Sequence, residues 1–417
     1  MKNKYRVLAG AVIVFAQMFV LAGGAAADFE LQNGDHVVFL GDSNTAGARF
    51  AGITETYALG RYPNRNITFE NKGYGGDTAA GGLARLQRDV IDEGADVVIV
   101  IYGINDILWG LNATKEARQL YLDSITAIVE RCVQEGIEVY ISTYFVIGGD
   151  PSEQAIGFLQ SMGQDALVIA ESNGGHGLDI FGGMQTVAQN IWNWNQANPN
   201  KTFPLNTDGI HLSTLGHELA AYSLITALGA PADVSSVTVN AANQNYSETG
   251  ASVRNVTWDA GTETLVFERK DDGIPLTFGY FSWISTNRWI PFDTQLNRYM
   301  LIVKNLPAGT YDINVDGRQI EPLTASQLSF GANLSRRLPT TGWSPGGPWD
   351  AQSQTLMMLT VARNQTRTAL TLINAYLVEN ENLNNINQRA NLLNTKFEGL
   401  QRKLVTPTWY RFELVKQ

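Results

Sequence analysis

The chain of 417 residues has only one cysteine and four histidines. A single thiol cannot form an intramolecular disulfide, and Cys132 lies among apolar residues at helical spacing, which favours a core position over a reactive one. The sequence contains no histidine or cysteine cluster with the spacing of metal ligands. We therefore predict neither a metal nor another cofactor.

Positive charge and long apolar runs are also scarce. The 30 Lys and Arg residues are outnumbered by 40 Asp and Glu residues, and the net charge of −10 argues against nucleic acid as a partner. One long apolar run, from Val7 to about Gly23, follows a basic start and precedes Ala25–Ala27. This layout is typical of a cleaved signal peptide, here residues 1–27, although an uncleaved anchor is the alternative. We expect a secreted or periplasmic protein that begins near Asp28 and meets the membrane only through this peptide.

Strand and helix patterns alternate through residues 28–230. Five apolar runs indicate strands, and the segments between them carry helical patterns. Such alternation predicts an α/β unit whose parallel five-stranded sheet has helices on both faces. The predicted strands are 36–40, 67–71, 95–102, 137–144 and 178–181. A Gly-Ala-Pro-Ala run at 229–232 marks the predicted end of this domain.

Residues 231–417 have a different pattern, and we recognise no family in them. Short strand patterns with hairpin turn signals predict a small antiparallel β unit, followed by helices over about 351–377 and 382–404. In the second helix, apolar residues recur at spacings of three and four, from Leu383 to Leu404. This stripe predicts packing on the neighbouring helix in a hairpin, and a homodimer through the C-terminal helices would satisfy it as well.

Four short blocks follow predicted strands or precede a helix, and they carry the groups that acyl transfer by a serine needs. An imidazole can activate a serine hydroxyl, and a carboxylate fixes the imidazole's orientation and charge. Ser43, His211 and Asp208 could fill these roles. The oxyanion needs donors, which the Ser43 N–H, the Gly76 N–H and the Asn105 amide could provide.

In these blocks the chain resembles the SGNH hydrolase superfamily, the GDSL-like esterases and lipases, over about residues 35–228. The characteristic Ser, Gly, Asn and His of that family fall on Ser43, Gly76, Asn105 and His211. The resemblance implies a flavodoxin-like three-layer fold, with Asp208 as the partner of His211 and with Ser43, Gly76 and Asn105 as the oxyanion hole. Asn44 stands where many members have Leu, at a position outside the chemical groups.

The sequence therefore favours a secreted serine ester hydrolase that acts on small esters, with acetyl groups on polysaccharides as the preferred substrate. Residues 148–207 contain no long apolar run that could cover a fatty acid. An O-acyltransferase or a lipid or lysophospholipid esterase would use the same residues, and a non-catalytic glycan-binding protein could keep the same scaffold. The aromatic stretch from Phe278 to Phe292 could line an acyl pocket or contact a sugar, although aromatic residues more often fill an interface.

Overall fold

The computed structural model describes residues 29–148, 154–278, 280–336, 346–376 and 381–417. The predicted signal peptide lies outside these residues. The first half contains strands and helices in alternation: β1 (His36–Gly41), α1 (Ser43–Ala46), α2 (Arg49–Arg61), β2 (Thr68–Gly73), α3 (Ala79–Ala84), β3 (Val97–Ile101), α4 (Lys115–Gln134), β4 (Glu138–Ser142), α5 (Gln154–Ser172), β5 (His176–Leu178), α6 (Ile180–Ala197) and α7 (Thr214–Ala227).

These strands form one parallel sheet in the order β2-β1-β3-β4-β5, as the alternation predicts. Every residue of β3 is buried, because helices cover both faces of the sheet. The strand order reverses between β1 and β3, which opens a crevice at their carboxyl ends. The last strand ends at Leu178 rather than at residue 181, since the Asp179 side chain accepts a hydrogen bond from the Gly182 N–H and begins α6.

The second half builds two further sheets and a helical hairpin. Its elements are β6 (Asp233–Asn240), β7 (Tyr246–Thr249), β8 (Ala251–Asp259), β9 (Thr264–Asp271), α8 (Tyr280–Trp289), α9 (Phe292–Gln295), β10 (Arg298–Lys304), β11 (Thr310–Val315), β12 (Arg318–Thr324), α10 (Ala325–Phe330), β13 (Ala332–Asn333), α11 (Pro348–Tyr376), α12 (Glu381–Leu404) and β14 (Tyr410–Lys416). The sheet orders are β13-β10-β6-β7 and β12-β11-β14-β9-β8.

The β region differs from the predicted antiparallel unit in two ways. Strands β6 and β10 pair in parallel, because α8 and α9 lie on the long connection that returns the chain to the same sheet. The C-terminal strand β14 was not predicted, and it lies between β9 and β11 at the centre of the second sheet. Hairpin turn signals indicate only local pairings, whereas both of these pairings join strands that are distant in sequence.

The hairpin of α11 and α12 packs on α2 of the first half, and Leu356 and Val405 belong to the same apolar core as the parallel sheet. Only part of the apolar stripe on α12 is covered. Leu383 and Ala390 are buried, but Ile386, Leu393 and Leu400 remain 42%, 42% and 53% exposed. The inward face of α12 includes the buried polar residue Gln401 in addition to apolar residues, so it is partly polar.

That polar face contributes to a buried ion pair between the two halves. Arg363 on α11 donates from Nη2 and Nε to Glu55 on α2, at 2.6 and 3.2 Å. Gln401 on α12 donates to the same carboxylate at 2.8 Å. The side chains of Arg363 and Glu55 are 1% and 3% exposed, so water cannot replace either partner.

Glu55→Gln should lower the free energy of unfolding by about 3–5 kcal/mol, because the buried Arg363 charge then keeps only the longer contact with the partly exposed Glu398, at 3.7 Å, as a counter-charge. Urea denaturation followed by circular dichroism measures this loss. Asp233→Asn is the matched control, since the Asp233–Arg298 pair is half exposed and surface pairs contribute little. Equal shifts of the urea midpoint in the two variants would contradict the importance of the buried pair.

Candidate active site

Ser43 begins α1 directly after β1, on a turn that requires close packing. A Cβ atom added to Gly41 would lie 2.2 Å from Thr45 Oγ1 and 2.8 Å from the Ile101 carbonyl oxygen, so only glycine fits before the turn. The Asp42 carboxylate accepts a hydrogen bond from the Asn44 N–H at 2.9 Å and caps α1. The result is a rigid support for the Ser43 hydroxyl.

The loop before α7 brings His211 to Ser43. His211 Nε2 lies 3.0 Å from Ser43 Oγ, and Nδ1 lies 2.6 Å from Asp208 Oδ2. The other oxygen of Asp208 accepts hydrogen bonds from the Ile210 and His211 N–H groups at 3.0 and 2.8 Å. The His211 N–H, then the imidazole, and then the Ile210 N–H hold the pKa of the Asp208 carboxyl far below its usual value. Asp208 is thus ionised and fixed against the imidazole.

Three loops at the carboxyl ends of the strands meet beside Ser43. The Tyr74 N–H donates to the Gly41 carbonyl at 2.9 Å, which joins the loop after β2 to the nucleophile turn. The Asn105 amide donates to the Asp77 carbonyl at 2.9 Å, which joins the loop after β3 to the loop that carries Gly76. These contacts connect the loops that carry Gly76 and Asn105 to the turn that carries Ser43.

The acidic residues beside the site brace these loops. Asp42 accepts a hydrogen bond from the Tyr144 hydroxyl at 2.7 Å, and its burial raises its pKa to about 6. Asp77 accepts from Arg85 Nε at 2.8 Å. Asp106 accepts from the N–H of Ala79 at the start of α3, and burial raises its pKa to about 7. Within the described residues, no group of three or more His, Cys, Asp or Glu side chains is placed to hold a metal ion.

Asn44 connects the nucleophile turn to the histidine loop, a role that the sequence analysis missed. Its Oδ1 accepts from the Leu212 N–H at 2.9 Å, and its Nδ2 donates to the Tyr144 hydroxyl at 2.9 Å and to the Ile210 carbonyl at 3.3 Å. These contacts hold the backbone on both sides of His211. The sequence feature that could have indicated this role is the polar Asn44 at a position where many members of the SGNH family have Leu.

The aromatic stretch in the second half contributes to packing where its side chains are described. Phe278 packs edge-on against Phe292 with ring centroids 4.9 Å apart, and Trp289 packs against Trp194 of α6 at 5.9 Å. The Trp289–Trp194 contact joins the two halves of the chain, whereas Phe278 and Phe292 both belong to the second half. The side chains of residues 280–284, including Trp283, lie outside the description.

A small cavity adjoins the loop that carries Asp208 and His211. It has a volume of about 200 Å³ and is lined by apolar side chains with a few polar groups. Pockets for drug-sized ligands measure about 300–1,000 Å³, so this cavity is small. Its lining residues are Val146, Gly148, Ala188, Ile191, Trp192, Asn195, Pro204, Leu205, Asn206 and Gly209.

Comparison with known proteins agrees with this geometry. Residues 39–219 match the model of the GDSL-like Lipase/Acylhydrolase family. The chain is 26% identical over 221 residues to an acetylxylan esterase of Geobacillus stearothermophilus, which covers 48% of this chain and 96% of that protein. It is 26% identical over 144 residues to the uncharacterized lipoprotein YqeF of Bacillus subtilis (strain 168), with 32% of this chain and 55% of that protein covered.

The segment of residues 39–219 therefore belongs to the GDSL-like lipase/acylhydrolase (SGNH) family, and it is a carboxylic ester hydrolase. This confirms the resemblance drawn from the four blocks. The fold of both halves recurs in the structure of a gut microbial diltiazem-metabolizing enzyme, with a TM-score of 0.77 and 20% identity. That likeness covers 94% of this chain and 100% of the other, so it includes the β and helical region.

Proposed function

We propose that the chain hydrolyses esters through an acyl-enzyme on Ser43. The observation that carries the proposal is the continuous series of contacts from Ser43 Oγ through His211 to Asp208. Nε2 of His211 takes the hydroxyl proton as Oγ attacks the ester carbonyl, and Asp208 stabilises the imidazolium that forms. The imidazolium then gives its proton to the leaving alcohol. In the second half of the reaction, His211 activates a water that releases the acid.

The negative oxygen of the tetrahedral intermediate needs donors that are in place before it forms. We assign this role to the N–H groups of Ser43 and Gly76 and to the side-chain amide of Asn105. Asn105 is 8% exposed, so its amide interacts with the charge in an environment that screens it less than water does. One amide hydrogen is used by the Asp77 carbonyl, and the other is left for the oxyanion.

We propose acetyl groups on glycans as the substrate class. The similarity to an acetylxylan esterase supports this, at 26% identity over nearly the whole length of that protein. The exposure of the site also supports it, because the His211 and Asp208 side chains are 48% and 54% exposed and a bulky polymer could reach them. The small cavity beside the His211 loop offers little apolar wall for a long acyl chain.

Acetyl esters should be turned over with a kcat/KM at least about tenfold higher than octanoyl esters, a gap of about 1.4 kcal/mol. Each added methylene that finds no apolar wall forgoes up to about 0.8 kcal/mol of transfer free energy. Nitrophenyl esters of two to eight carbons, assayed beside acetylated xylan, measure this preference. An octanoyl preference would contradict the glycan assignment and would favour a lipid esterase with the same residues.

We also propose that the protein is exported and that residues 1–27 are removed. The basic start, the apolar run and the small residues before Asp28 support this. Among the described residues, no helix is long and apolar enough to cross a membrane. Protein recovered from outside the cytoplasm should begin near Asp28 when its N-terminus is sequenced. Recovery of Met1 in a membrane fraction would show an uncleaved anchor instead.

A further inference from the structure

The turn after β3 places an indole against the Asn105 amide. Trp109 Nε1 donates to Asn105 Oδ1 at 2.9 Å, while Asn105 Nδ2 donates to the Asp77 carbonyl at 2.9 Å. A primary amide has one oxygen and two N–H groups. With the oxygen and one N–H engaged, the second N–H is held in a defined direction and remains available.

The backbone of this turn is strained. Leu108 and Trp109 have φ values of +45° and +60°, and Gly110 follows at +95°. Left-handed backbone is uncommon for residues other than glycine, and it persists only where the surrounding structure holds it. Two backbone hydrogen bonds do so here, from the Leu108 N–H to the Asn105 carbonyl at 3.1 Å and from the Trp109 N–H to the Ile104 carbonyl at 2.9 Å.

Burial does not account for the position of the Trp109 ring. The residue is 58% exposed, so most of the apolar surface of the indole gains nothing from this conformation. The contact that the strained turn does provide is the hydrogen bond from the indole to Asn105. Strained non-glycine backbone of this kind is concentrated at functional sites.

We propose that Trp109 is a positioning residue for the oxyanion hole, which holds the Asn105 amide with its free N–H directed at the developing charge. The inference rests on the proposed function of Asn105. The terminal torsion of an asparagine is soft, and its two amide orientations differ little in intrinsic energy. Without the indole donor, the amide would spend more time with its oxygen towards the oxyanion, where it repels the charge instead of stabilising it.

A different role for the same residue would be a platform for the substrate. Leu108, Trp109 and Leu111 are apolar residues on the turn that follows Asn105, and all three are more than half exposed. A platform would bind substrate and transition state alike, so its loss would raise KM and leave kcat unchanged. The positioning role acts on the transition state, so its loss lowers kcat.

Trp109→Phe removes the indole N–H and keeps an aromatic ring. We expect kcat for nitrophenyl acetate to fall about tenfold, with KM within twofold of the wild type. In an Asn105→Ala background the same substitution should change kcat by less than twofold, because the amide that Trp109 orients is gone. Trp194→Phe is the matched control: it removes the hydrogen bond from the Trp194 indole on α6 to the Lys201 carbonyl, and kcat should be unchanged.

Four results would overturn the inference. A raised KM with an unchanged kcat in Trp109→Phe would make the ring a platform, and an equal fall of kcat with and without the Asn105 side chain would make its effect purely structural. A fully active Trp109→Phe would show that the hydrogen bond is dispensable, while the proposed function would stand. A wild-type protein without turnover of any ester would refute the proposed function, and the inference with it.

Discussion

Ser43→Ala should lower ester turnover by at least about 10³-fold and leave the fold intact. The hydroxyl is the atom that attacks the carbonyl, and its contact in the site is with His211 Nε2 at 3.0 Å. Removal of one oxygen from a partly exposed side chain at the surface of the crevice creates no cavity in the core, so the thermal midpoint should stay within a few degrees of the wild type. Turnover of nitrophenyl acetate and a melting curve test both parts.

His211→Ala should cause a loss of similar size, because the members of such a triad act as a unit and their losses are not additive. The double variant should therefore be about as inactive as either single one. His36→Ala is a matched control, since His36 begins β1 at the end opposite to Ser43 and contacts Thr68 Oγ1 at 2.8 Å. Full activity in Ser43→Ala, or additive losses in the double variant, would contradict the mechanism.

Asn105→Ala should lower kcat by about 10²–10³-fold, or about 3–4 kcal/mol, with little change in KM. The amide gains most of its interaction only when the carbonyl oxygen becomes negative, so the substrate in its ground state loses little. Steady-state kinetics with an acetyl ester measures the two constants separately.

The melting temperature of the Asn105 variant provides the control for folding, because the substitution removes the side-chain contacts with Asp77 and Trp109 and leaves the strands of the sheet unchanged. A boronic acid that mimics the tetrahedral intermediate should bind less tightly by a factor similar to the fall in kcat. A higher KM with an unchanged kcat would instead assign Asn105 to ground-state binding, and the oxyanion role would then be wrong.

The first half could be predicted closely because its signals are local. Strands β1, β3 and β4 are short, mostly apolar runs, and parallel strands bring their carboxyl ends to one edge, so residues after β1 and β3 meet there. The four residues from Asp208 to His211 span one tight turn, in which Gly209 has a φ of +87° and the carboxylate reaches the imidazole. The spacing of residues along the chain was therefore sufficient to predict these features.

The remaining features depend on contacts between distant segments. The apolar spacing on α12 predicts a continuous stripe, but the buried face includes Gln401 because Glu55 on α2 needs hydrogen-bond donors. The pairing of β14 joins the end of the chain to β9 and β11, and nothing in the local pattern of residues 410–416 specifies those partners. Asn44 contacts the loop that carries His211, which is distant in sequence. The contact of Trp109 with Asn105 depends on the left-handed backbone of the turn between them. Spacing along the chain predicts neither contact.

The central claim is that Ser43 is the nucleophile, and labelling by a mechanism-based phosphonate tests it most directly. A fluorophosphonate reacts with a serine whose hydroxyl is activated by an imidazole, and it forms a stable adduct in place of the acyl-enzyme. The mechanism predicts one phosphonyl group for each chain, located on Ser43 by peptide mass spectrometry, with turnover lost in proportion to labelling. It also predicts no label on Ser43→Ala and slow labelling of His211→Ala. Label on another residue, or a labelled protein that retains its turnover, would contradict it.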